Sequence, residues 1–252
     1  MIRDSINGAT HFIRGLSLIS KPGIRQFVII PLILNILIFG LLIAYSYQQF
    51  GDLLDWLLPD PDGWFNWLRW VLIPIFVSVV AVAVFFLFTI VANLVGAPFN
   101  ALLADAVEQH LTGTVKDSKT NWRDFFRSIG PTLISEFKKI IYYLIITSPF
   151  LILFFITLFF PPINLVVSIS WILVTTWILT VQYCDYVFDN HDIEFTQLRQ
   201  RIGKKRFMAF GFGGATMLMM AIPFVNFFVM PTAVAGATAM SLKEFNIDEE
   251  NK

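Results

Sequence analysis

Hydrophobic positions along the chain fall into two kinds of run. Residues 6–19 set Ile6, Phe12, Ile13, Leu16 and Ile19 among polar neighbours at helical spacing, which predicts a short amphipathic helix at an interface within the segment 1–26. From Phe27 the pattern changes. About 20 residues follow without a charge, interrupted by Pro31 and Asn35, enough to cross a hydrocarbon layer of about 30 Å. Residues 51–70 then gather aspartates, tryptophans and the turn cluster PDPDG, the composition of a loop beside an aromatic belt. A second uncharged stretch fills 71–95. The two stretches predict long transmembrane helices over 27–50 and 71–95.

Residues 96–139 return to an amphipathic pattern, with Gly113 and Gly130-Pro131 as expected breakers, and predict a cytoplasmic helical layer. Beyond them come two apolar pairs. Ile140 to Phe160 meets Pro161-Pro162 and continues as Ile163 to Val181; Phe207 to Ile222 meets Pro223 and continues to Met240. Each pair predicts a helical hairpin, over 140–183 and 207–240, separated by a polar segment 184–206 and followed by a tail 241–252. No charge stands at either tip. Two arrangements suit such arms: pairs of full crossings with tight turns, or re-entrant hairpins that penetrate part of the bilayer and turn back against protein. The prediction adopted is the second.

Composition agrees with lipid as part of the solvent: 56% of residues are hydrophobic, 14% are charged, 27 are phenylalanine and the mean hydropathy is +0.69. The runs are continuous rather than alternating, which excludes a transmembrane barrel. The expected class is therefore an all-α integral membrane protein, one membrane domain over 1–252, and no cleaved signal peptide is read at its start. A net charge of zero leaves no nucleic-acid footprint. Its distribution is more telling. Arg3, Arg14, Lys21 and Arg25 precede the first span, Arg69 is the one Lys/Arg between the spans, and six and five such residues fall in 96–139 and 184–206. The excess predicts a multi-pass protein with both termini cytoplasmic.

The stretch SKPGIRQF stands at the mouth of the first span. Ser20 is expected to N-cap a helix starting near Lys21, with Pro22 in its first turn and Gly23 allowing close approach to the backbone. The N–H groups of Gly23, Ile24 and Arg25 would then face outward at the positive end of the helix dipole. Arg25 adds a planar fork, and Lys21 a mobile charge. The competing reading makes Lys21 and Arg25 topological anchors that snorkel to headgroups.

Other chemistry is sparse. VQYCDYVFDNH clusters Cys184, Asp185, Asp189 and His191, but the acids fall on different faces and no second His or Cys lies near, so no metal site is expected. Asp185 and Asp189, four apart, are expected to pair with Arg199 or Arg201. His11, His110 and His191 stand in no nucleophilic constellation, and no P-loop or dinucleotide fingerprint occurs, so neither an enzyme nor a cofactor is expected. Asn93, Asn164 and Asn226 are pore candidates, because an amide in an apolar helix needs a partner or a wet path; helix–helix hydrogen bonding is the alternative. Gly211, Gly213, Gly214 and Gly236 are expected to permit close helix packing.

Four blocks, GLSLISKPGIRQFVIIPLILN, IVANLVGAPFNALLA, VQYCDYVFDNH and IPFVNFFVMPTAVAGATAM, together resemble the CysZ family of bacterial sulfate permeases in order and overall length. The resemblance implies sulfate uptake across the bacterial inner membrane for cysteine biosynthesis. It further implies two long membrane helices with partly penetrating helix pairs, set among membrane lipid in a homo-oligomer, a dimer or a higher assembly of dimers. It maps the family's sulfate-binding motif onto Gly23, Ile24 and Arg25, flanked by Ser20 and Lys21, with Gln26 where some relatives carry a second arginine. The alternative of a different class is a membrane-organising scaffold without a transport path.

Overall fold

The computed structural model describes the backbone of residues 1–57, 66–113, 122–245 and 247, and the side-chain surroundings of 1–45, 98–113, 139–245, 247 and parts of 70–96. The regular elements among the described residues are all helical, in the order α1 (Ile2–Ile19), α2 (Gln26–Leu57), α3 (Asn66–Thr112), α4 (Trp122–Phe159), a 3-10 turn (Pro161–Ile163), α5 (Asn164–Asp189), α6 (Phe195–Lys204), α7 (Arg206–Met220) and α8 (Pro223–Glu244). It divides into two compact units, residues 26–100, and residues 1–25 with 101–252.

Several predicted borders move. Residues 51–57 and 66–70, expected in a loop, are helical, and 58–65, with the PDPDG cluster, lie outside the described residues. Within the expected cytoplasmic segment 96–139, residues 96–112 are the end of α3 and 122–139 the start of α4, with 114–121 outside the description. Gly113 does end a helix: its φ of 71° closes α3, and its N–H donates to the Gln109 carbonyl at 3.0 Å. Gly130-Pro131 does not, because α4 runs straight through it. Pro31, Pro74, Pro98 and Pro231 likewise sit inside helices, as membrane-type helices tolerate.

In the unit formed by residues 26–100, α2 carries the apolar window Gln26–Tyr45, 20 residues with mean hydropathy 2.9 and none of it buried. The second predicted span, 71–95, lies wholly within α3, and Trp70, Val71, Ile75, Val77, Val79 and Val82 are exposed. Both stretches suit lipid contact along their described faces.

The larger unit has its core where α1 lies on the α7/α8 hairpin. One face of α1, formed by Gly8, His11, Phe12, Gly15, Leu18 and Ile19, is buried at helical spacing. The apolar set predicted for this helix therefore divides: Phe12 and Ile19 enter the core, while Ile6, Ile13 and Leu16 stay exposed on the other side. Close approach is possible because glycines meet backbone. A Cβ on Gly8 would strike the Met208 carbonyl, one on Gly15 the Thr232 carbonyl, one on Gly211 the Ser5 carbonyl, and one on Gly236 would lie 2.6 Å from the His11 carbonyl oxygen. Gly213 plays the same part between α7 and α5, against the Thr176 carbonyl. Hydroxyls stitch these contacts: Ser5 Oγ donates to the Phe207 carbonyl at 3.1 Å and Thr180 Oγ1 to the Ala209 carbonyl at 2.6 Å. Opposite them α8 presents an unbroken buried run from Thr232 to Ser241.

The α4/α5 hairpin differs in kind. No residue from Ile140 to Phe159 of α4 is buried, whereas α8 buries Val229 and every residue from Thr232 to Ser241. Thr176 is the first buried residue of α5, so more than two turns on from the tip still face outward. Near the tip the arms part around a cleft of about 580 Å³ lined by Thr147, Phe154, Thr157, Asn164, Ser168 and Trp171. Among the described residues, four helices are long and apolar enough to cross a membrane, those containing Gln26–Tyr45, Lys139–Phe159, Pro161–Asp189 and Pro223–Glu244.

Two outcomes test this packing. Gly211→Ala is expected to cost about 1–3 kcal/mol through overpacking against Ser5, whereas Gly214→Ala, with open space around its Cβ position, is expected to be neutral or slightly stabilising; thermal unfolding of the detergent-solubilised pair separates them. Burial holds the His11 imidazole below its ordinary range, with the carboxylate of Glu244 at 3.9 Å pulling the other way and Lys243 and Arg14 adding to the depression. The unfolded chain therefore binds a proton that the folded chain refuses. Stability is full above about pH 6.5 and falls as the pH drops below it, by at most about 1.4 kcal/mol per pH unit. His11→Gln should flatten that slope in melts recorded across the interval.

Candidate functional site

The SKPGIRQF segment is a turn between two helices rather than the start of one. Ser20 is the C-cap of α1, in right-handed backbone, and its hydroxyl leans back on the Leu16 carbonyl at 3.4 Å. Pro22 follows where a helix cannot continue, and Gly23 takes a φ of 87° with nothing within reach of a Cβ. The helix expected near Lys21 starts five residues later, at Gln26. Of the three N–H groups expected to face outward, two are occupied: Ile24 and Arg25 both donate to the Lys21 carbonyl at 3.1 Å. Among the described residues the Gly23 N–H has no backbone acceptor, and the first-turn amides of α2, Gln26 to Val28, have none within their own helix.

Ile24 is 2% exposed, one of the largest fully buried side chains of the molecule, so it pins the turn to the core. Its neighbours stand outside. Ser20, Lys21, Gly23, Arg25 and Gln26 are all exposed, and among the described residues neither Lys21 nor Arg25 meets a carboxylate. Two cations three residues of turn apart, with no counter-charge and a kinked backbone between them, can receive an oxyanion.

Two of the pore candidates stand at separate hairpin tips. Asn164 opens α5 at one hairpin tip and lines the cleft there, where its Oδ1 accepts from Ser168 at 3.3 Å. Asn226 is exposed in the first turn of α8 at the other tip. No hydrogen bond joins the two, and the side chain of Asn93 lies outside the described residues.

The VQYCDYVFDNH block resolves into separate partnerships. Cys184 is a fully buried free thiol. Asp185 and Asp189 do share a face, but the cation the structure brings to them is Lys139 of α4, whose Nζ contacts Asp185 Oδ2 and lies 2.8 Å from Asp189 Oδ2, in place of the expected arginine. Asn190 donates to the Ala101 carbonyl and to Asp105 Oδ1, each at 3.0 Å, and His191 Nε2 lies 2.9 Å from the buried Glu108 carboxylate. The end of α3 and the base of α4 are thereby tied to the same turn of α5. Sequence reasoning missed Lys139 and Glu108, although Lys139 is the last charge before a long uncharged run, which is where a buried pair at a membrane border belongs.

With the geometry in place, comparison with known proteins is informative. Residues 11–231 match the family described as Sulfate transporter CysZ/Etoposide-induced protein 2.4. The chain belongs to this family. Relatives named Sulfate transporter CysZ include one of Pseudomonas aeruginosa, 39% identical over 95% of this chain and 96% of its own length, and one of Pseudomonas fluorescens, 38% identical over 95% and 94%. A Vibrio cholerae protein of the same name is 35% identical over 96% of both. The family match covers the α1–α2 turn, the α4/α5 hairpin with its clasped base, and the α7/α8 hairpin as far as Pro231.

Lys139→Met leaves two aspartates facing a thioether and is expected to lower stability by about 3 kcal/mol or more, since losing one partner of a buried pair strands the other. The loss would show as a depressed melting temperature in detergent without a change in helical content at low temperature.

Proposed function

We propose that the protein is a sulfate permease of the bacterial inner membrane, taking up sulfate for cysteine biosynthesis, with an oxyanion site at the α1–α2 turn. The observation that carries the site is the pair Lys21 and Arg25, both exposed and without a carboxylate partner among the described residues, on a turn anchored by buried Ile24. Sulfate as the anion rests on the names of the relatives. Arg25 offers a planar two-donor edge to two sulfate oxygens, and Lys21 supplies the second positive charge a dianion requires. Gly23 and the opening amides of α2 add neutral donors, Ser20 a hydroxyl and Gln26 an amide. Because Ile24 and Arg25 N–H groups are engaged by Lys21, side-chain charge rather than main-chain donors does most of the holding.

In this reading the long helices α2 and α3 span the bilayer and both termini are cytoplasmic, which sets the turn on the inner side. The α4/α5 and α7/α8 hairpins penetrate from that side, with Asn93, Asn164 and Asn226 candidates for the wet path and a homo-oligomer as the working assembly. The asparagines are where a dianion could find neutral donors at depth.

Reconstituted into proteoliposomes, the full chain is expected to admit labelled sulfate well above empty vesicles. Flux no greater than the empty control would leave the scaffold reading in its place. Arg25→Ala should weaken sulfate binding about tenfold, the worth of one charge-assisted contact, with folding and insertion unchanged. Equal affinity of the variant and the parent would reduce Arg25 to a topological anchor.

A further inference from the structure

Among the described residues Arg199 also meets no carboxylate, and its setting differs from that of the α1–α2 turn. Arg199, in the middle of α6, lies with its Cζ 4.4 Å from the centre of the Tyr142 ring and 5.2 Å from that of Phe195. The two rings meet edge to face at 5.3 Å. Trp177 of α5 closes the group by donating its indole Nε1–H to the Tyr142 oxygen at 2.9 Å. The cradle is therefore built from α4, α5 and α6 together.

Aromatic faces attract a guanidinium but accept none of its five N–H bonds in the plane of the fork. Among the described residues Arg199 has neither a carboxylate nor a hydrogen-bond acceptor, and its Nε is buried without one. A buried donor left unmet in this way is costly, and an acceptor that reached it would be held. Tyr142 is in a related position. Its oxygen already accepts from Trp177, and no described residue accepts its own proton. Two donors of different kinds thus stand in one aromatic cradle with no described residue to receive them.

Depth decides what could. Tyr142 is three residues beyond Lys139, the last charge before the uncharged run 140–184. Ile141, Leu144 and Ile145 around it on α4 are exposed, and Tyr142, Tyr143 and Trp177 form the aromatic cluster that marks a headgroup border. A hydrated inorganic anion gains nothing from apolar residues beside its site. A phospholipid does, because its acyl chains can lie along them while its phosphate stays at the border. The same end of the unit also carries Lys204 and Arg206, exposed and without carboxylates among the described residues, whereas Lys205 is engaged by Glu244 at 2.7 Å. That surplus favours a headgroup with net negative charge.

We infer that Arg199 and Tyr142 form a binding site for the phosphodiester of an anionic phospholipid, held in the cradle of Tyr142, Phe195 and Trp177. The site is distinct from the proposed sulfate turn in residues and in ligand, and stands or falls without it. A bound phosphate would accept from the Arg199 fork and from the Tyr142 hydroxyl, and would fix α6 against the bases of α4 and α5.

The test uses the full-length protein in mild detergent, mixed with equal amounts of phosphatidylglycerol and phosphatidylcholine, with bound lipid counted by native mass spectrometry. The parent is expected to retain phosphatidylglycerol selectively. Arg199→Gln should lower that retention about fivefold, the effect of one cation near an anionic headgroup, and Tyr142→Phe should lower it less, since the ring stays and only the hydroxyl goes. Circular dichroism and melting confirm that each variant is folded. If Arg199→Gln is not, Arg199→Lys replaces it, keeping charge and stem but losing the planar fork, and should still retain less than the parent. Millimolar sodium sulfate should displace the lipid no better than sodium chloride of the same ionic strength. Retention equal to the parent's in a folded Arg199 variant overturns the site, and selective displacement by sulfate overturns the lipid assignment in favour of a free oxyanion.

Discussion

One helix can lay its backbone against another only where side chains are missing from both, and the larger unit of this protein depends on that restriction being met at several places at once. Gly8 and Gly15 of α1 face main-chain atoms of α7 and α8, and Gly211 and Gly236 return the contact to the main chain of α1. Gly213 extends it to α5. Where lipid surrounds the helices, apolar burial offers little preference for protein over solvent, so close van der Waals contact and hydrogen bonds to carbonyls must supply the cohesion. The hydroxyls of Ser5 and Thr180 reach carbonyls across those same seams. Because α1 is located in this way, its last turn and the buried Ile24 beyond it are located too, and Lys21 and Arg25 are carried on a backbone tied into the core.

Charge performs a different task at the bases of the helices. From Ile140 to Phe159 the α4 arm of the hairpin buries no residue, and the contact that marks its height is a charged one at its base. Lys139 between Asp185 and Asp189 sets that height, while Glu108 on His191 and Asn190 on Ala101 and Asp105 set the end of α3 against the same turn. Buried pairs of this sort contribute modestly to stability compared with a well-packed apolar substitute, but an arrangement displaced by one turn would strand a charge. They act here as register marks for long, smooth helices that could otherwise slide.

The hairpins were legible because their signal is coarse: long uncharged runs joined by proline with no charge at the tips. Gly211, Gly213 and Gly236 were legible as packing surfaces, whereas Gly214, expected with them, has open space around its Cβ position. The α1–α2 turn was harder. A serine followed by Lys-Pro-Gly suits the start of a helix and the end of one equally, since Pro serves at a first turn and just past a C-cap alike. What decides is the amphipathic run before it, whose last buried residues, Leu18 and Ile19, carry α1 up to Ser20. A break was also expected at Gly130-Pro131, where α4 continues. Lys139 as the partner of Asp185 and Asp189 was out of reach, because the residues are 46 to 50 positions apart and every basic residue of 184–206 was an equally good candidate. Periodicity reports which face of a helix is buried, and is silent on which distant charge will meet it.

The chain contains one cysteine, and Cys184 has no accessible surface. A thiol reagent of ordinary size has nowhere to approach it while the fold is intact. The natural sequence thus already supplies a quiet background for site-directed labelling: a cysteine introduced in the α1–α2 turn, along the hairpin cleft or on α6 would report its own accessibility, with no prior replacement inside the packed centre.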